Sequence, residues 1–356
     1  MSALKRLQEQ IKTLGADAIL VSSELNCRYL SDFVFSDGYL LIESDYAFLI
    51  TDSRYVEAAK NTVKDFEILC PKGTRINAIS ELVSARNIKA LAIEDEIISV
   101  AEHKRFSDAL PCKLISGASD LITSLRRKKN PEELEKIAKA QSLTDAAFEH
   151  ILDFISPDKT EIDIALELEF FMRKMGADGI AFDTIAVSGA ASSLPHGVPT
   201  NTKLRKGFLT MDFGAKFDGY CSDMTRTVCI GRADDEMKRV YKTVLSAQEH
   251  ALENICEGML CRDADSLARD IIKHAGYGDN FGHSLGHGVG LYIHESPSLS
   301  PNAKDDLRLE RGHVVTVEPG IYLEGRFGVR IEDMIAIDHD GTVRNFTKSP
   351  KKLIEI

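Results

Sequence analysis

The chain reads as two domains in series: an α/β domain over residues 1–125, then an α+β domain with pseudo-two-fold architecture over residues 126–356. Its 356 residues exceed the ~100–200 of one ordinary domain. Short apolar runs alternate with helical patterns in the first third, the signature of a sheet with helices between its strands. After Pro131 the helical patterns lengthen, and a set of helices followed by strand-like runs occurs twice. No repeat at a solenoid period accompanies that duplication, so it is architectural only.

Taken in order, Leu4, Leu7, Ile11 and Leu14 sit at helical spacing and open the chain with an amphipathic helix rather than an unbroken apolar leader. Strands follow at Ala18–Val21, Tyr39–Ile42, Tyr46–Ile50, Glu67–Leu69, Ala90–Ile93 and Lys113–Ile115. Helical patterns fall between several of them, around Ser53–Lys60, Arg75–Ala85 and Val100–Ala109. The basic run Arg126–Asn130 reads as a solvated linker, with Pro131 opening the next helix. Long helices are expected at Glu132–Phe154, Glu161–Met175, Asp235–Ile255 and Asp263–His274, with a capping box at Thr160/Asp163 and a stop at Gly176. Strands are expected near Thr184–Val187, Phe208–Phe213, Asp223–Cys229, Val314–Glu318 and Val329–Ile337.

Charge and cysteine content narrow the function classes. Lysine and arginine total 44 against 55 acidic residues, a net charge of −11, which opposes binding to nucleic acid or to an anionic membrane. No apolar run reaches the ~18 residues of a membrane-spanning helix. The seven cysteines are odd in number and form no C-x-x-C pair, so they read as reduced thiols of a cytoplasmic protein.

Three segments carry chemistry. In Thr210–Thr227, Asp218-Gly219 between two strand-like runs is a hairpin signal. That turn sets Phe217 opposite Tyr220 and Asp212 opposite Thr225, which makes Asp212 and Asp223 diagonal neighbours on one face. Two carboxylates so close repel unless protonated or bridged by a cation. The second segment, Phe281–Gly290, holds His283, His287 and four glycines in ten residues. Those glycines argue against a helix and let the backbone approach a neighbour closely. The third places Glu318 and Glu332 in or at the end of apolar strand patterns, where an ionised carboxylate needs a partner or a metal. Arg330 can pair with one of these glutamates and hardly with both; the pattern leaves open which face each uses.

Two aspartates, at least one histidine and two glutamates suit Mn²⁺ or Co²⁺, and also Zn²⁺. Four carboxylates exceed the needs of one catalytic ion and fit a pair ~3.5–4 Å apart.

The order and spacing of these residues resemble the pita-bread metallopeptidases, specifically the Xaa-Pro branch of aminopeptidase P and Xaa-Pro dipeptidase (prolidase). The likeness extends over nearly the whole chain. Asn26–Phe33, Thr51–Tyr55, Lys129–Glu133 and the loop Pro195-His196-Gly197-Val198-Pro199 share in it. The resemblance implies a creatinase-like N-terminal domain ahead of a pita-bread catalytic domain. It implies that Asp212 binds one metal in bidentate fashion, that Asp223 and Glu332 bridge two metals, and that His287 and Glu318 hold the other. It also gives His196, His283, His294 and Arg330 supporting catalytic positions. The implied reaction is hydrolysis of an Xaa-Pro bond in short peptides by a hydroxide bridging two divalent ions. In it Glu318 moves a proton to the leaving nitrogen, and His294, with His283, stabilises the oxyanion and the proline side.

Methionine aminopeptidases share the metal set but typically lack the N-terminal domain and the Pro-His-Gly-Val-Pro loop. Creatinase shares the architecture but lacks the metal ligands. A non-catalytic peptide-binding protein on this scaffold is the alternative from another class. Between the two Xaa-Pro activities, a dipeptidase must bind a carboxylate directly after proline, which favours an arginine. Here Pro297 is followed by Ser298, which leans toward the aminopeptidase. The resemblance also implies a homodimer, with the loop Asn26–Asp37 carrying Phe33 and Phe35 exposed toward the partner's cleft.

Overall fold

The computed structural model describes residues 1–356. They form two compact units, Met1–Arg126 and Arg127–Ile356. No helix is long and apolar enough to cross a membrane.

The N-terminal unit is built on a six-stranded sheet of β1 (Ala18–Val21), β2 (Tyr39–Glu43), β3 (Ala47–Ile50), β4 (Glu67–Leu69), β5 (Ala90–Ile93) and β6 (Lys113–Ile115), in the order β4-β3-β2-β1-β5-β6. β2 runs antiparallel to both neighbours, whereas β1, β5 and β6 are parallel, so the sheet is mixed. Six helices accompany it: α1 (Ala3–Gln10), α2 (Glu24–Ser31), α3 (Val56–Thr62), α4 (Arg75–Ala85), α5 (Val100–Ala109) and α6 (Ala118–Arg127). Leu20, Leu41, Ile50, Ile79, Val83, Leu91 and Phe106 close the core on one face of the sheet.

Three sequence expectations need correction here. The residues Asn26–Ser31 are helical, in α2, because Ser23 caps that helix by accepting from Asn26 N–H. Phe35 is buried and stacks with Phe33 at 5.8 Å, so it anchors the loop rather than projecting from it. The basic boundary run is not a solvated linker. α6 continues to Arg127 with Leu121, Ile122 and Leu125 buried, and Lys129 is 1% exposed.

The C-terminal unit repeats one plan twice. α7 (Pro131–Phe154) and α8 (Glu161–Lys174) precede β7 (Gly179–Ile180), β8 (Ile185–Ser188), β9 (Gly207–Phe213), β10 (Ala215–Phe217), β11 (Tyr220–Cys221) and β12 (Met224–Ile230). α9 (Asp235–Asn254) and α10 (Cys261–His274) precede β13 (Gly286–Gly288), β14 (Glu295–Leu299), β15 (Val314–Val317), β16 (Gly320–Leu323), β17 (Phe327–Arg330), β18 (Asp333–Ile337) and β19 (Val343–Asn345). Each half has its own core. Phe148, Ile164, Leu168, Leu209 and Met211 close the first, and Val244, Ala268, Ile272, Val315 and Ile335 the second.

Local chemistry sets the helix limits. Asn130 and Glu133 form a capping box with Pro131 at the start of α7, and Thr160 with Asp163 does the same for α8. α8 and α10 each run into a glycine in the left-handed region, Gly176 (φ 105°) and Gly276 (φ 86°). The residue after each glycine donates back to the helix, Ala177 N–H to Met172 O and Tyr277 N–H to Ile272 O, both at 3.0 Å. The expected single strand Val329–Ile337 is two strands: β17 pairs with β16, and β18 joins β15 in another sheet. Ile331 and Glu332 make the step between them.

Candidate metal centre

The hairpin read from the sequence positions the first two acids. Asp218 and Gly219 both take positive φ (46° and 78°), the requirement of a type I′ turn. Phe217 then faces Tyr220, and Asp212 faces Thr225 in the β9–β12 ladder. Asp223 immediately precedes β12 and is 4% exposed.

His287 lies in β13 between β14 and β15, and only glycine neighbours allow that approach. A Cβ on Gly286 would stand 1.9 Å from Thr316 O, and one on Gly288 would stand 2.4 Å from Ser296 O. His287 Nδ1 donates to Gly288 O at 3.1 Å, which leaves the Nε2 lone pair facing acids. That Nε2 is 3.5 Å from Asp223 Oδ2 and 3.4 Å from Glu318 Oε1. Thr316 Oγ1 accepts from His287 N–H at 3.0 Å and donates to Glu318 Oε1 at 3.1 Å, which ties two site residues to one hydroxyl. Glu332, 1% exposed, sits in the step between β17 and β18, where its N–H donates to Thr225 O at 3.1 Å and its Oε2 accepts from Thr225 Oγ1 at 2.8 Å.

Arg330 does not neutralise either glutamate directly. Its Nη2 donates to Asp212 Oδ2 at 2.6 Å, while Nε reaches Thr225 Oγ1 at 2.9 Å and Nη1 reaches Tyr322 OH at 2.7 Å and Pro195 O at 3.2 Å. With all three guanidinium nitrogens hydrogen-bonded and 3% of its surface exposed, it is a fixed brace.

Asp212, Asp223, Glu318 and Glu332 therefore converge with one guanidinium among them. In the metal-free cluster, burial and the neighbouring carboxylates push Asp223 and Glu332 far above the usual carboxylate range, and burial raises Glu318 to about 8. Burial lowers His287 and keeps its imidazole neutral. Asp212 Oδ1 and Glu332 Oε1 are buried without any hydrogen-bond partner. Ligand atoms of Asp223, His287 and Glu332 lie within 4.8 Å of one another. Orphaned carboxylate oxygens beside a neutral imidazole lone pair fit divalent cations, which satisfy the oxygens and displace the protons.

The cluster forms the floor of a cavity of about 530 Å³ that the three remaining histidines also line. His294 stacks edge-on against His287, with ring centroids 4.6 Å apart. His283 is engaged on both sides: Nδ1 donates to Ser284 O at 2.8 Å, and Tyr322 O–H donates to Nε2 at 2.9 Å. Burial and then the Arg330 charge lower it to about 4. His196 is exposed at the rim.

Sequence reasoning missed the residues that hold these loops. Tyr322, Thr225 and Thr316 are ordinary strand residues in pattern, and nothing in one sequence marks them. Glu161, at the start of α8, accepts from Ser188 N–H and Oγ and from Thr200 N–H and Oγ1 at 2.8–3.1 Å, bracketing the His196 loop. In the second half, Asp265 on α10 accepts from Leu285 N–H at 2.9 Å and pairs with Arg269. Arg269 in turn donates to Phe281 O and His283 O at 3.0 and 2.7 Å.

With this architecture and this donor set, the chain belongs to metallopeptidase family M24, whose model matches residues 135–339; residues 4–128 match the creatinase/prolidase N-terminal domain. The chain is similar over its length to a solved Xaa-Pro dipeptidase from Bacillus anthracis, with 42% identity, 99% of each chain covered and a TM-score of 0.96. It is similar to a solved X-Pro aminopeptidase from Thermotoga maritima, with 40% identity, 98% and 100% covered and a TM-score of 0.91. The Xaa-Pro dipeptidase of Pyrococcus furiosus is 36% identical over 98% of this chain and 99% of its own. The fold is thus a creatinase-type domain followed by a pita-bread metallopeptidase domain, and the protein is a metal-dependent peptidase.

Proposed function

We propose that the chain is an Xaa-Pro aminopeptidase that removes the residue preceding proline from the N-terminus of short peptides, using two divalent ions, Mn²⁺ before Co²⁺ or Zn²⁺. The observation that supports this reading best is the buried convergence of four carboxylates and a neutral histidine with two oxygens left unpartnered. Asp212, Asp223, His287, Glu318 and Glu332 would hold the ions. Bound there, divalent ions supply Lewis acidity toward the scissile carbonyl and acidify a water for attack at neutral pH.

The chain's own groups do the rest. Glu318, held at the cluster by Thr316 Oγ1 at 3.1 Å, is placed to take a proton from the attacking water and pass it to the proline nitrogen as the amide bond breaks. His294 donates a hydrogen bond toward the carbonyl oxygen, and His196 stands beside it at the rim. His283, neutral and held by Tyr322, shapes the proline side and carries no charge into it. Arg330 holds one oxygen of Asp212, so the other is presented inward.

Among Arg and Lys residues, only Arg330 lines the cavity, and its guanidinium already bonds Thr225, Pro195 O, Tyr322 and Asp212. No free guanidinium stands ready for the carboxylate of an Xaa-Pro dipeptide, which favours peptides that continue past proline. The dipeptidase reading is supported by the names of the Bacillus anthracis and Pyrococcus furiosus relatives. Rates on Xaa-Pro and Xaa-Pro-Yaa, measured with Mn²⁺, Co²⁺ and Zn²⁺, separate the two. Faster cleavage of the tripeptide supports the aminopeptidase, and turnover confined to the dipeptide overturns it. Leu194 and Val198, 58% and 78% exposed on the His196 loop, are apolar surface of the kind a partner covers, in keeping with a homodimer; the unpaired cysteines suit the cytoplasm.

A further inference from the structure

Lys129 enters the C-terminal unit just before α7 and is 1% exposed. Its N–H donates to Gly312 O at 2.8 Å, and its carbonyl accepts from His339 Nε2 at 3.0 Å. Gly312 packs against it so closely that a Cβ there would lie 2.7 Å from the Lys129 carbonyl oxygen. The backbone therefore delivers the ammonium to one place, and Nζ sits 3.1 Å from Glu295 Oε2, on a carboxylate side chain only 7% exposed. The other oxygen, Oε1, accepts Tyr292 N–H at 3.0 Å and closes a four-residue turn around His294. Gly290 rests on the same carboxylate, where a Cβ would stand 2.6 Å from Oε2. Gly290 N–H donates to Tyr292 O at 3.1 Å, and Cys221 N–H donates to Gly290 O at 2.8 Å. The loop from Gly290 to Glu295 is thus wrapped around a buried carboxylate.

We propose that Lys129 and Glu295 are a positioning pair for His294, with the buried ammonium fixing the carboxylate that folds the turn and so setting the imidazole against His287 and the cavity. The inference rests on the reading of His294 given above. A carboxylate buried this deeply without its cation reorients toward water or takes up a proton; either change loosens Tyr292 and moves the histidine. A displacement of that kind costs rate more than affinity, because it acts on the reacting geometry.

The test uses the metal-loaded full chain with Lys129→Met, Lys129→Gln, His294→Ala and the double variants. Lys129→Met is expected to lower kcat on the order of ten- to a hundredfold with little change in KM, and with metal stoichiometry unchanged. Lys129→Gln, which keeps an N–H for Glu295, should retain more activity and serves alone if the methionine variant does not fold. In the His294→Ala background neither lysine variant should lower kcat/KM further, because the group being positioned is gone. In metal-free protein, the His294 imidazole NMR signal should shift in both lysine variants. An unshifted signal, wild-type kcat in both lysine variants, or an equal loss with and without His294 overturns the pair. Wild-type activity of His294→Ala overturns the reading of His294 itself, a result distinct from an impaired His294→Ala with unimpaired lysine variants.

Discussion

Asp223 and Glu332 are acids in a place where acids repel, and their state decides how the metal-free protein behaves. Their folded pKa values, like that of Glu318 at about 8, lie above those of the unfolded chain. The folded form therefore binds more protons, and stability falls as pH rises through this window. His283 and His287 act oppositely, but their lowered values place that gain below the ordinary histidine pKa of 6.5. Metal-free protein is accordingly expected to lose thermal stability between pH 6.5 and about 8, and added Mn²⁺ should restore more of it at the upper end. A Tm that rises over that interval without metal would contradict the carboxylate assignment. Asp223→Ala is expected to abolish turnover and to lower bound metal per chain, as read by elemental analysis; full activity would remove Asp223 from the centre. At this scale the sequence was informative where residue type alone carries meaning. Acids in apolar strands and histidine among glycines stood out, but the partner of Arg330 did not. The expected glutamate partner is Asp212 instead, because the chain steps sideways at Ile331 and Glu332, and a step that small leaves no trace in an alternating pattern.

At the scale of elements, the two halves of the C-terminal unit keep a constant offset. α7 and α9 end at Phe154 and Asn254, and α8 and α10 begin at Glu161 and Cys261, so 254 − 154 and 261 − 161 both equal 100. Each second helix is preceded by an isolated bridge, Thr160 with Lys203 and Leu260 with Arg308. The caps are not alike: Thr160 makes a capping box, whereas Leu260 offers no side chain. Thr160→Ala should therefore destabilise the protein by about 1 kcal/mol, read from denaturant unfolding, while Leu260→Ala loses packing rather than a cap. The duplication was legible as helix–strand order because apolar periodicity survives divergence. The buried clamps Glu161 and Asp265 were not, since an acid near a helix start reads as a favourable dipole contact. Gly286 gives a sharper test. Gly286→Ala must push β13 from β15, with a Cβ otherwise 1.9 Å from Thr316 O. We expect metal binding to weaken together with stability, and a variant with normal metal content and Tm would show that the strands do not need this approach.

For the whole molecule, the C-terminal unit contains every proposed metal ligand and two hydrophobic cores. Residues 127–356 expressed alone are expected to fold and bind metal, while losing discrimination by peptide length if the N-terminal unit and a partner subunit restrict access. Light scattering at working concentration should report twice the chain mass of 39.4 kDa; a monomer with full length selectivity would remove the dimer from the account. Composition and strand–helix order made the two-part plan readable. The boundary run was not readable as interior, because four consecutive basic residues look solvated whatever their burial, and only tertiary packing reveals Lys129 as buried.

The β9–β12 hairpin belongs to the first half, and β13, β15 and the β17–β18 step belong to the second, so the acids meet across a seam. Thr225 and Thr227 bind Glu332 and Arg330 across it. An ion held by the proposed ligands from both sides would act there as a non-covalent crosslink. Removing it should raise amide hydrogen-exchange rates on both sides of the seam together, along β9 and β15, while the outer helices exchange as before. Peptidase action and the mechanical closure of the two halves would then be one equilibrium, and a chelator would act on this protein as a release catch before it acts as an inhibitor.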